Sequence, residues 1–294
     1  MAADTRRESD VSRGSDAGRG SAAGGSAAGE ATRNAEPRSL GPIPLPAASR
    51  FRPLLGLFAP AALVVVWHVA VATGVFAAHQ LPAPLRVAET LYGLAASGEL
   101  WGHVAITVQR VVLGAGLGIA VGTLFGTATG LSRTASDLLD PLLQSLKNIP
   151  SLAWVPLFLL WFGIGETAKV LLIAVGAFFP VYLNLSTGIA AVDEELLEVA
   201  EVYDLGRVES LRRIVFPAAL PDLLVGIRGG VGLAWMFVVA AELIAASQGI
   251  GFLLSDGRTL ARPDIIVGSI LLFAFLGNCS DVAVKEVRDR VVGR

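Results

Sequence analysis

Of 294 residues, 53% are apolar and 16% charged, and the mean hydropathy of +0.64 lies far above that of soluble chains, so most of the sequence reads as membrane-embedded. A net charge of −2 leaves no basic footprint for nucleic acid. One cysteine, Cys279, excludes an intrachain disulfide and any multi-cysteine metal site, and it reads as packing within the last apolar segment.

Residues 1–50 are rich in Ala, Gly, Ser, Arg and Asp, with almost no large apolar side chain before Leu40. Such a stretch cannot bury enough surface to offset chain entropy, so it is expected as a disordered cytoplasmic tail ahead of a membrane domain over 51–294. Arg6-Arg7 lacks a following apolar stretch and is no twin-arginine signal. A first span is predicted at about 54–76, long enough for about 30 Å of hydrocarbon, with Arg50 and Arg52 holding its start in the cytoplasm. His68 within it reads as a packed donor to a neighbouring carbonyl. A short amphipathic helix and loop follow on the far side.

The second span, 107–131, carries Gly114, Gly118, Gly122, Gly126 and Gly130, four overlapping GxxxG repeats. These strip side chains from one ridge and predict close helix packing along a groove that spirals, because four residues overrun the 3.6-residue turn. Gly116-Leu117-Gly118 has neither the third glycine nor the preceding strand of a dinucleotide loop. The third span, 138–162, contains Lys147 and Asn148, Pro150 and Pro156 as kinks, and Trp154 and Trp161 near the outer interface. A fourth is predicted at 168–190. Between these two, GIGETAKV lacks the glycine before Lys169 that a Walker loop requires.

Between the fourth span and a fifth at 220–245 lies a polar island, EVAEVYDLGRVESLRRIVFP, Glu198 to Pro217. Leu196, Ala200 and Tyr203 share one helix face; Val208, Leu211 and Val215 share another. The expectation is two short amphipathic helices at roughly a right angle, the second ended by Pro217. Asp204 is expected in the left-handed position after the first helix, Gly206 as N-cap of the second, and Glu209 reaching back to the Gly206 N–H. The fifth span holds Arg228 and Glu242. A sixth, 265–283, ends in KEVRDRVVGR, again basic and so cytoplasmic.

The island resembles the EAA motif of ABC-importer membrane subunits. Glu198, Val199 and Ala200 fill the triplet, Asp204 the glycine position, Ile214 the isoleucine, and Phe216-Pro217 the Leu-Pro; Val199, Asp204 and Phe216 depart from the pattern. Together with LLDPLLQSLKNIPSLAWVPLFLLWFGIGETAK and AELIAASQGIGFLL, the chain from about Leu54 onward is similar to the aliphatic sulfonate, taurine and nitrate branch of these permeases. The resemblance implies an all-α membrane protein with six transmembrane helices in the type I ABC importer permease fold and a cytoplasmic coupling loop over 194–217. It implies no catalysis and no cofactor in this chain, with ATP and Mg bound by a partner ATPase dimer that the loop engages. It also implies an extracytoplasmic substrate-binding protein, a second permease subunit (a homodimer or a close paralogue), surrounding lipid, a cell-membrane location and both termini in the cytoplasm.

Lys147, Asn148 and Arg228 are candidates for an anion path. Alternatively Lys147 snorkels to the cytoplasm and Arg228 pairs with an acid such as Asp222. Aliphatic sulfonates are the expected cargo, with taurine, nitrate or another small solute as alternatives. A secondary transporter would instead show inverted repeats and a midplane coupling acid, for which Glu242 is the candidate in span five, although it lies toward the outer end. A membrane enzyme would need a clustered constellation that three scattered histidines do not supply.

Overall fold

A computed structural model describes residues 52–77, 79–150 and 153–293, with backbone alone for 52–57, 199, 201 and 245. The chain divides into two units, Met1–Leu55 and Gly56–Arg294, and the helical bundle belongs to the second. The expected tail, residues 1–50, lies outside the described residues. All regular structure among the described residues is helical: α1 Arg52–Ala72, α2 Pro84–Ala96, α3 Glu99–Leu131, α4 Arg133–Lys147, α5 Trp154–Phe162, α6 Glu166–Ala190, α7 Glu194–Val202, α8 Arg207–Ser210, a π-helical turn Leu211–Val215, α9 Phe216–Ala245, α10 Ile250–Thr259 and α11 Pro263–Val292. Among the described residues, four helical stretches are long and apolar enough to cross a membrane: Glu99–Leu131, Glu166–Ala190, Arg207–Ile244 and Pro263–Val292.

The bundle is built around α6. Each glycine of the α3 ridge sits where a Cβ would collide with α6: Gly114 against Ile173, Gly118 against Ala177, Gly122 against Val181, Gly126 against Leu185 and Gly130 against Ile189. Partners on α6 also advance by four, so both ridges drift around their helices together and the contact persists through all five positions. The ascending order on both sides makes α3 and α6 parallel. On its other flank α6 meets α9 through Gly176 against Phe237, Gly230 against Ala177 and Gly226 against Pro180, an antiparallel order. Two apolar clusters fill the seams, one with Ile173, Ala177, Ala234 and Val238, the other with Val181, Leu185, Val215, Ala219 and Leu223.

Two expected elements differ. The stretch predicted as one third span is two helices, because α4 stops at Lys147, Pro150 falls in the break, and Pro156 lies in the first turn of α5. A proline without an N–H and with a fixed φ costs least in a helix's first turn, where Pro156 stands, although α4, α6 and α9 also carry Pro141, Pro180 and Pro221 in their interiors. Pro217 does not end the second island helix either, which runs on into α9. The Phe216 N–H donates to the Leu211 carbonyl, so the π-helical turn shifts the acceptor register immediately before the proline and relieves its clash with the preceding turn. His68 is exposed on α1 rather than packed, and Cys279 is exposed on α11.

At one end of the bundle lie α7 and α8 (the loop end); at the other lie α2 and α10. Thr90 of α2 and Arg262 both donate to Asp264 Oδ2 at 2.7 Å, tying α2 to the first turn of α11.

Candidate functional site

Three places gather functional side chains. The first is the loop end. Helix α7 closes with the Leu205 N–H donating to the Ala200 carbonyl at 2.9 Å across Asp204, whose φ is 50°. This six-to-one bond around a left-handed residue is a Schellman ending. Gly206, extended at φ −61° and ψ 157°, stands as N-cap of α8. Glu209 turns forward to pair with Arg213 at 2.9 Å, not back to the Gly206 N–H; both partners are mostly solvated and near in sequence.

The turn sorts the side chains of this segment. Ala200 is only 5% exposed and lines a cleft of ≈ 460 Å³ with Leu131, Leu197, Leu205, Leu211 and Val215, beneath the end of α3. Val215 continues into the α6–α9 core, against which the half-buried Phe216 also packs. Ile214 is half-buried, while Glu198, Asp204 and Pro217 are exposed; the Val199 side chain lies outside the described residues. Val202, Tyr203 and Val208 stand out at 82%, 74% and 79% exposure. The segment therefore has one face packed on the α6–α9 core and an apolar knuckle facing away.

The second place is the break after α4. Lys147 and Asn148 line a cleft of ≈ 270 Å³ with Trp154 of α5, Val175, Gly176 and Phe179 near the middle of α6, and Leu233, Met236 and Phe237 of α9. Trp154, expected at an interface, thus belongs to this cleft and meets Phe158 edge-on, with ring centroids 6.3 Å apart. Arg228 is not among these lining residues. It forms a forked pair with Asp281 of α11, Nε to Oδ1 at 2.6 Å and Nη2 to Oδ2 at 2.7 Å. The expected alternative partner, Asp222, lies instead where a Cβ on Gly188 would be. The geometry explains the choice: one guanidinium edge matches two carboxylate oxygens only when the fork is planar to it.

The third place joins residues that the sequence reading kept apart. Glu242, 1% exposed, is not a lone acid. Its carboxylate accepts from Arg110 Nη1 at 2.7 Å, the Thr107 hydroxyl at 2.8 Å and the Gly251 N–H at 2.8 Å. Arg110 also donates to both oxygens of Glu166 at 2.6 Å and to the Gln248 carbonyl at 2.7 Å, and Lys169 joins Glu166 at 2.9 Å. A Cβ on Gly249 or Gly251 would strike Glu242, so glycine is what lets the α10 N-terminus reach this carboxylate. Two cations and two carboxylates from α3, α6 and α9 close on themselves at the α10 end. No buried side-chain polar atom among the described residues is left without a partner. The available signal was the rule that a charge within a span demands a partner, applied to Arg110 and Glu242 together. Among the described residues no three His, Cys, Asp or Glu side chains converge as metal ligands would.

The fold and sequence both have counterparts. The family described as binding-protein-dependent transport system inner membrane component matches residues 117–292. A Bacillus subtilis chain named as an aliphatic sulfonates transport permease, SsuC, is 41% identical over 247 residues, 84% of this chain and 90% of that one. An Escherichia coli chain of the same name is 40% identical over 78% of this chain and 87% of its own length. The Escherichia coli taurine transport permease TauC is 32% identical over 79% and 86% respectively. Among solved structures, an inward-facing form of the MetNI methionine ABC transporter aligns at TM-score 0.54 with 17% identity, over 63% of this chain and 92% of that chain. An amino acid ABC transporter aligns at TM-score 0.54 with 14% identity, over 68% and 95%.

Proposed function

This chain belongs to the inner membrane components of binding-protein-dependent transport systems, and from that premise we propose that it forms the path for aliphatic sulfonates in an ATP-driven importer. The cargo rests on the two relatives named for it at 41% and 40% identity. ATP hydrolysis falls to a separate ATPase, with Mg bound there, and delivery falls to an extracytoplasmic binding protein. A second permease subunit, a homodimer partner in the simplest case, completes the two docking sites an ATPase dimer requires. The cell membrane is the location, with the loop end and both termini in the cytoplasm.

One observation carries the coupling role: the segment from Glu198 to Pro217 packs on α6 and α9 on one face and offers Val202, Tyr203 and Val208 on the other. An apolar knuckle in water favours a partner groove. Because Val215 and Phe216 run into the core, a push on the knuckle reaches α6 and α9 without an intervening flexible joint. Ala200, Asp204 and Gly206 shape the turn; Ile214 and Pro217 belong to its junction with α9. Lys147 and Asn148 line the path. Arg228, neutralised by Asp281, braces α9 against α11.

The test is growth on an alkanesulfonate as sole sulfur source. Cells lacking this chain should fail on the sulfonate yet grow on sulfate, and the wild-type chain should restore growth. The double substitution Tyr203→Asp and Val208→Asp should not, although the protein still reaches the membrane. Unimpaired growth without the chain would refute the cargo, and full rescue by the double variant would refute the coupling role.

A further inference from the structure

Arg110, Lys169 and Arg228 within the spanning helices are paired, whereas, among the described residues, Lys147 at the end of α4 is not. Arg110 and Lys169 hold carboxylates at 2.6–2.9 Å, and Arg228 holds Asp281. Among the described residues Lys147 enters no ion pair, and no carboxylate lines its cleft. It is exposed at a helix break level with the middle of α6. An uncompensated ammonium at that depth persists only where water or an anion reaches it, and a broken helix is tolerated only beside such a cavity.

The rest of the cleft is a different surface. Phe179, Leu233, Met236, Phe237 and Trp154 make an apolar wall beside the ammonium, with the Asn148 amide the other polar group at the break. Gly176 permits the Phe237 ring to lie against α6, where a Cβ would stand 2.7 Å from it, so the floor of the wall is fixed by backbone contact. At ≈ 270 Å³ the cleft falls just under the range of about 300–1,000 Å³ typical of drug-sized ligands, the size for one small organic molecule.

We propose that this cleft is a resting site inside the permease for an anion carrying an uncharged alkyl tail, Lys147 and Asn148 taking the anionic head and Phe179, Met236 and Phe237 the tail. The site deepens the sulfonate reading and rests on it. It makes the permease a second filter behind the binding protein: sulfate or nitrate would use the head position and leave the wall wet. Each tail methylene that reaches the wall should tighten binding about fourfold, the equivalent of about 0.8 kcal/mol, until the cleft is full.

The experiment uses the purified complete importer without its binding protein, titrated with methane-, butane- and hexanesulfonate and with sulfate, while tryptophan fluorescence is followed. Wild type should give saturable binding that strengthens with tail length, through a signal lost in Trp154→Phe. Lys147→Met should weaken all sulfonates at least tenfold, and Lys147→Arg should restore them in part. Met236→Asn should weaken hexanesulfonate about tenfold and leave methanesulfonate unchanged. Gel filtration of each variant checks assembly; Lys147 and Met236 are exposed, and Trp154, half-buried against the core, is replaced by another aromatic ring, so folding should survive. Binding indifferent to tail length, or unchanged by Lys147→Met, would overturn the proposal. Sulfonate uptake without such binding would remove the cleft and spare the importer reading, whereas tail-dependent binding without uptake would do the reverse.

Discussion

Gly116 and Gly118 are two residues apart on the same helix, and the structure predicts opposite consequences for the same substitution. A Cβ on Gly118 would lie 2.8 Å from the Ala177 Cβ and 3.0 Å from the Phe178 N, and closer still to the Ala174 carbonyl, where ordinary contact begins at 3.4 Å. Two of these obstacles are backbone atoms of α6 that cannot rotate away. Gly118→Ala must therefore part α3 from α6 by more than half an ångström, which disturbs the contacts at Gly114 and Gly122 as well. Overpacking of this kind costs about 1–3 kcal/mol. Gly116 meets nothing within 4 Å, so alanine there only gains helix propensity, worth about 0.5–1 kcal/mol. The two variants should differ by about 2–4 kcal/mol, which at this chain length separates their melting midpoints by at least about 3 °C. Thermal unfolding of the purified chain in detergent reads the difference. Equal midpoints, or Gly118→Ala the more stable, would refute the α3–α6 packing as the organising contact.

Removing Arg110 by Arg110→Met strands Glu242 in the interior, a loss of about 3–5 kcal/mol, and yield of folded protein should fall sharply. The double variant Arg110→Met, Glu242→Leu removes both charges and should recover much of that yield. Asp204→Gly relieves a left-handed residue at a cost of about 1 kcal/mol and should raise the melting temperature while transport is kept. In a Cys279→Ala background, Arg207→Cys should react with an impermeant thiol reagent only from the cytoplasm and Arg258→Cys only from outside; reaction of both from one face would overturn the topology.

The legible parts of the molecule were those governed by neighbours in sequence. Glycine at every fourth position of α3 is a local repeat, and the helix it packs against is set by geometry once α6 is in place. The left-handed residue at 204 and the Gly206 cap also depend on a few adjacent residues. What was not legible was long-range or rested on competition between local rules. Arg110 is 56 residues from Glu166 and 132 from Glu242, so the charge cluster exists only after three helices have assembled. Glu242 alone looks like a coupling acid for that reason, and Lys169 alone like a fragment of a nucleotide loop. Pro217 invites a helix stop, but the π-helical turn from Leu211 to Val215 moves the hydrogen-bond register ahead of it. Hydropathy alone joins α4 to α5, although the chain spends Asn148 and Pro150 on a break that brings Lys147 beside α6 and α9.

On the proposed reading, the segment from Glu198 to Pro217 passes the work of ATP hydrolysis into the spans that move a sulfonate. It is tested most directly in proteoliposomes holding the reconstituted importer, with labelled alkanesulfonate and binding protein on one side and ATP on the other. Wild type should show ATP-dependent accumulation, and the variant Tyr203→Asp, Val208→Asp should lose accumulation and ATPase stimulation by loaded binding protein, with the melting temperature unchanged. Accumulation and stimulation at wild-type levels in that variant would contradict it.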